Sequence, residues 1–198
     1  MGAINKAIEL AKNPVGFMTA DKDSPATVNS IMINYVAVLA AIPFFAKLIG
    51  DLWYYSLVSG YARYFIGYAF ASAILSYILY VIGVYVIGVV IQMLASNFGS
   101  VNDKIKSLKL AAYVFTPFFL ISALDIIPPL GVLTILGVLY GLYILYMGLP
   151  IVLGTPKDKV VPYLVATVVA TLIVYFVIGV IIAVVEGAIF AASFGYFY

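Results

Sequence analysis

Four polar side chains stand inside or beside long apolar runs and are the first candidates for chemistry: Asn34, Gln92, Asp125 and Glu186. A carboxylate in hydrocarbon is costly, and where it occurs it commonly marks an ion or proton pathway. Amides there bond across helices. Phenols cluster as well, with Tyr140, Tyr143 and Tyr146 at three-residue spacing and Tyr77, Tyr80 and Tyr85 on an earlier run. They read either as a polar pathway or headgroup cleft, or as phenol-to-backbone bonding between helices with interface anchoring at the ends. The chain has no cysteine and no histidine. That removes disulfides, thiolate nucleophiles, His general bases and most zinc or iron sites. The acids are not obviously paired, so an enzyme is the weakest reading, and neither metal nor cofactor is expected.

The elements that must carry these residues follow from composition. Of 198 residues, 66% are hydrophobic and 9% charged, with a mean hydropathy of +1.18. A soluble fold of this size could not hide so much apolar surface, and disorder is excluded by the same numbers. An all-α integral membrane protein remains. A net charge of +2 gives no reason to expect nucleic acid.

A hydrocarbon core of about 30 Å needs roughly 20 apolar residues as helix. Five runs meet or approach that, at approximately 31–50, 64–95, 110–123, 130–149 and 162–185. Their continuity argues against a β-barrel, whose strands alternate. Asp125-Ile126-Ile127-Pro128-Pro129 reads as a tight turn, since two prolines cannot continue a helix, so the third and fourth spans form a hairpin. Pro117 marks a kink in the third span. Residues 1–28 form an N-terminal segment and 29–198 the membrane domain. No apolar core of signal-peptide type occurs in the first 28 residues. Ala3 to Lys12 is expected to form a short amphipathic helix lying in the membrane interface, with Ile4, Ala7, Ile8 and Ala11 on one face.

Five spans put the N-terminal segment, the loop after span two and the loop after span four on one side. These hold Lys6, Lys12, Lys22, Lys104, Lys106, Lys109, Lys157 and Lys159, eight of the ten Lys and Arg residues. The positive-inside rule then makes the N-terminus cytoplasmic and the C-terminus external, in a multi-pass protein of the cell membrane. The eight lysines form a collar facing anionic headgroups.

One stretch carries a pattern of fixed order. Ala112-Tyr113-Val114-Phe115-Thr116-Pro117 is followed by Pro128-Pro129-Leu130-Gly131. Then comes Gly137-Val138-Leu139-Tyr140-Gly141-Leu142-Tyr143-Ile144-Leu145-Tyr146-Met147-Gly148-Leu149-Pro150. This resembles the Yip (Ypt-interacting protein) domain family in its short prokaryotic form. Pro156, Lys157 and Tyr163, and the early Pro14 and Phe17, fit the same pattern. The resemblance implies five spans with a cytosolic N-terminus. Eukaryotic members of that family look like vesicle-traffic adaptors that engage small GTPases through a longer N-terminal region with a DLYGP-type motif, and this tail has nothing equivalent.

The sequence therefore supports a non-catalytic membrane adaptor or organiser that acts through lipids, other membrane proteins or its own copies. The rival is a small channel or transporter using Asp125, Glu186 and a tyrosine-lined cavity. Gly137 and Gly141 fit either a partner helix or a neighbour in the same bundle.

Overall fold

The computed structural model describes residues 2–59 and 62–194, with side-chain surroundings for 2–54 and 66–188. The side chains of Tyr55, Arg63 and Tyr64 lie outside the described residues. Helices follow one another along the chain: α1 (Ala3–Lys12), α2 (Pro14–Asp21), α3 (Val28–Ile31), α4 (Val38–Ser59), α5 (Ala62–Ala95), α6 (Lys104–Ile121), α7 (Thr134–Leu153) and α8 (Val160–Phe194). A π-helical segment, Met32–Ala37, joins α3 to α4. The described residues contain no strand. Five stretches among them are long and apolar enough to cross a membrane: Val28–Tyr54, Ile66–Phe98, Lys104–Ile126, Pro128–Leu153 and Lys157–Ala188.

Local chemistry sets the helix starts. Asn13 accepts from the Gly16 amide at 3.0 Å, and Pro14 occupies the first position of α2, where its missing N–H costs nothing. Thr27 and Ser30 form a reciprocal capping box at the start of α3. Asp103 caps α6 by accepting from Ile105 N and Lys106 N, at 2.8 and 2.9 Å. The α7 terminus is closed by Gly154, whose φ of 64° suits a residue without Cβ.

The sequence leads to one N-terminal helix, over Ala3 to Lys12, whereas a second, α2, follows it directly. Pro14 starts a helix here rather than only ending one. Helix α6 runs unbroken through Pro117. The turn after it forms as read, in two 3-10 segments, Ser122–Ile126 and Pro128–Leu133.

Helix α6 is the centre of the bundle, packing on α4, α5, α7 and α1. Within an apolar 18-residue stretch of its span 61% of the residues are buried inside the protein, against 6% for the corresponding stretch of the span containing α8. Helix α8 lies at the edge, mainly along α5. Helices α5 and α8 have 34 and 35 residues, about 50 Å each at 1.5 Å per residue. Both exceed the hydrocarbon core and must tilt or project.

The α6–α7 hairpin is tight because glycine permits it. A Cβ at Gly137 would lie 2.8 Å from Phe118 Cα, and one at Gly141 only 2.4 Å from the Val114 carbonyl oxygen. The small pair therefore packs inside its own bundle. Beside the turn of the hairpin Gly50 of α4 is equally close to the Asp125 carbonyl oxygen, 2.3 Å from a built Cβ. Replacing Gly141 by alanine should lower the melting temperature in mild detergent, with a loss of about 1–3 kcal/mol typical of overpacking. Gly179→Ala, where nothing lies within 4 Å, should leave it unchanged.

Candidate functional site

Lys109 occupies the second turn of α6 and is 3% exposed. The sequence reading counts it in a lysine collar facing lipid. It turns inward instead, and its ammonium donates to the Asp21 carbonyl at 2.7 Å, the Ser24 carbonyl at 2.8 Å and Ser24 Oγ at 2.9 Å. All three protons are thus taken by the last residue of α2 and the segment just after it. The Asp21 carboxylate lies 3.4 Å from the same ammonium and 3.4 Å from Lys6 of α1. One turn along α6, the Tyr113 hydroxyl donates to that carboxylate.

Deeper in the bundle, Thr116 donates to the Ala112 carbonyl at 2.8 Å. Its proton is thereby used, so the Tyr35 hydroxyl donates to Thr116 Oγ1, also at 2.8 Å. Phe17 and Tyr35 both meet the Tyr113 ring edge-on, with centroids 5.4 and 6.2 Å away. From α7, Tyr140 donates to the Ala11 carbonyl at 2.9 Å and so holds the end of α1. Ala7, Leu10, Phe17 and Met18 are buried beneath the α1–α2 pair. A surface pair, Lys106 to Asp23 at 2.7 Å, adds a further tie, modest because it is exposed.

Burial alone would push the Asp21 carboxyl up. The Tyr113 hydrogen bond, the Lys109 charge, Ser24 and Lys6 pull harder, and the group ends below its usual value of 3.8. A depressed carboxylate stabilises the fold above its unfolded value and loses that contribution as pH falls through the folded one.

Between α1, the segment 21–26, the π-helical segment and α6 lies a polar cavity of about 260 Å³. Lys6, Asp21, Ser24, Asn34, Lys109 and Tyr113 are among its walls. A π-helical turn is a frequent companion of functional sites. Here it presents Asn34 to the cavity.

The other sequence candidates sit elsewhere. Gln92 donates to Asn102 at 3.1 Å and so ties the end of α5 to the following loop. Asp125 lies in the turn after α6, with Gly131 opposite its carboxylate, where a built Cβ would come within 3.0 Å of Oδ1. Glu186 of α8 accepts from Tyr68 at 3.2 Å and Ser72 at 2.5 Å of α5. The two acids therefore belong to different seams. An apolar cleft of about 390 Å³ among α5, α6, α7 and α8 has Tyr80 and Tyr175 in its wall, and neither acid lines it. No group of three His, Cys, Asp or Glu that could hold a metal occurs among the described residues.

Much of the repeated Tyr-Gly-Pro pattern is explained by this geometry. Tyr113 and Tyr140 bind the N-terminal pair. Gly137 and Gly141 admit α6, and Gly148 admits Leu110 and Met18, 2.3 and 3.1 Å from a built Cβ. Tyr143 stacks on Tyr140 at 5.7 Å while remaining 45% exposed. Leu149, followed by Pro150, is fully buried and accepts from Thr155 Oγ1 at 2.9 Å, closing α7. Pro117 and the turn residues Pro128, Pro129 and Gly131 shape the hairpin joint. Sequence reasoning missed Asp21, Ser24, Tyr35 and the inward role of Lys109. One signal was present: Lys109 directly adjoins the apolar run of α6, where a lysine without a partner would be costly.

Asp21→Asn and Lys109→Met should each loosen α1 and α2 while leaving α4 to α8 folded. Amide exchange would then rise by at least tenfold across 3–21 and little elsewhere. In the wild-type chain the same segment should loosen as pH falls through the depressed Asp21 value, and that response should vanish in Asp21→Asn. Uniform exchange across all helices, or a retained acid response in Asp21→Asn, would contradict the assignment.

Comparison with known proteins agrees with this architecture. No curated protein and no solved structure matches the chain. The family model described as the Yip1 domain matches residues 8–196, a range that takes in the second half of α1, all of α2 and every span. Asp21, Lys109 and Tyr113 of the clamp and the five-span bundle lie within the matched range, and the chain belongs to the Yip1 domain family of membrane proteins.

Proposed function

We propose that this protein is a non-catalytic adaptor or organiser of the cell membrane, working through contacts with lipids and with other membrane proteins. The observation that carries the reading is the clamp: a buried lysine and a Tyr–Asp bond hold a two-helix cap over one end of the bundle. A fixed cap presents a constant surface, as an adaptor requires. Positive-inside asymmetry assigns that end to the cytoplasm, because it carries eight lysines. The broad apolar exterior of α8, with Leu172, Ile173, Phe176 and Val184 each more than 60% exposed, offers a second face for contacts within the bilayer.

A channel or transporter reading needs Asp125 and Glu186 on one route. They are held in different seams, and the capped end presents packed helices, so the adaptor reading is preferred. Purification of the tagged chain from its native membrane in mild detergent should recover a stoichiometric protein partner or a defined self-associated form. Lys109→Met should reduce that recovery several-fold without loss of the membrane domain. A lone monomer, together with solute flux in liposomes that falls in Asp125→Asn or Glu186→Gln, would overturn the proposal.

A further inference from the structure

The polar cavity beneath the cap has a composition that a merely structural gap would not need. Lys6 and Lys109 bring two positive charges to its walls and Asp21 one negative charge, leaving a net positive interior. Lys109 has spent its three protons within the clamp. Lys6 has only a long contact to Asp21, at 3.4 Å, and its side chain is 36% exposed. Asn34, which also lines the cavity, is exposed on the π-helical segment. An ammonium and a carboxamide are therefore the groups able to donate to an incoming ligand, and both favour an anionic oxygen.

The position of the cavity selects among anions. Asn34 lies six residues into the span beginning at Val28, about 9 Å along the helix. The wall residues Ala3 and Asn34 adjoin Ile4 and Ile33, which are 53% and 62% exposed. A pocket with polar walls that reaches from a lysine-rich end into a membrane span, on helices that also expose isoleucines, matches a molecule with a charged head and apolar chains. We propose that this cavity binds the phosphate of an anionic phospholipid headgroup, with Lys6 and the Asn34 amide as its donors and the Lys109 charge behind them.

This deepens the organiser reading and rests on it. The test uses the full chain in mild detergent, titrated with phosphatidylglycerol, phosphatidylcholine or inorganic phosphate, with melting temperature and native mass spectrometry as readouts. Phosphatidylglycerol should bind and raise the melting temperature, and phosphatidylcholine should do neither. Lys6→Gln and Asn34→Leu should each weaken phosphatidylglycerol binding by about tenfold. Lys12→Gln, an exposed lysine of the same helix that does not line the cavity, should not. Equal binding of the two lipids would overturn the proposal, as would an equal loss from Lys12→Gln, which would mean a diffuse attraction to the lysine collar. Stabilisation by inorganic phosphate alone, dependent on Lys6, would reassign the site to a soluble anion and overturn the lipid assignment. If Lys6→Gln fails to fold, Asn34→Leu decides. Loss of lipid preference with partner recovery intact would sink this site alone, and the reverse pattern would sink the organiser reading alone.

Discussion

A buried lysine organises one end of this molecule. An ammonium taken out of water is stable only if its protons are bonded and its charge is answered. Lys109 meets both needs from a single short segment, through the carbonyls of Asp21 and Ser24, the Ser24 hydroxyl and the Asp21 carboxylate. That segment is therefore drawn over the base of α6, and α1 and α2 come with it. Removing one side of such a buried arrangement costs on the order of 3–5 kcal/mol. The polar ties are backed by apolar ones, since Ala7, Leu10, Phe17 and Met18 join the same core as the membrane helices. The N-terminal pair is thus part of the fold rather than an appendage to it.

Close approach of α6 and α7 makes the arrangement hold on both sides. Gly137 and Gly141 bring the two backbones together, and Tyr140 of α7 and Tyr113 of α6 both reach the one cap. Each phenol then reaches a different part of it, Tyr113 the Asp21 carboxylate and Tyr140 the Ala11 carbonyl. The small residues and the tyrosines of the family pattern are two parts of one device: the first create proximity, and the second use it. At the other end of the bundle, Glu186 with Tyr68 and Ser72 joins α8 to α5 through a polar seam.

How much could be read in advance varied with the kind of interaction. The five spans and the α6–α7 turn were legible, because hydropathy and paired prolines act locally along the chain. The extent of α1, Ala3–Lys12, was also legible from its periodicity and the Asn-Pro that follows. Its packing was not. The expected apolar face was Ile4, Ala7, Ile8 and Ala11, yet the buried positions are Ala7 and Leu10, while Ile4 and Ile8 are exposed. The helix docks on protein through one edge and leaves the isoleucines outward. Helix α2 was missed because Pro14 reads as an end as readily as a beginning. The clamp was missed because its members are 88 residues apart in the case of Lys109 and Asp21, and charge counting treats every loop lysine alike. Tyr113 was singled out from the family pattern, but nothing local named Asp21 as its partner.

The central claim is that the N-terminal pair is fixed to the bundle by the Lys109–Asp21–Tyr113 clamp. A chain without cysteine permits clean placement of two spin labels, one at Glu9→Cys on α1 and one at Ser96→Cys in the 3-10 turn Ser96–Phe98. Both sites are exposed. Pulsed electron resonance on the full chain in lipid nanodiscs should give one narrow distance distribution, which broadens when Lys109→Met is added. A distribution already broad with the clamp intact, or one unmoved by Lys109→Met, would contradict the account.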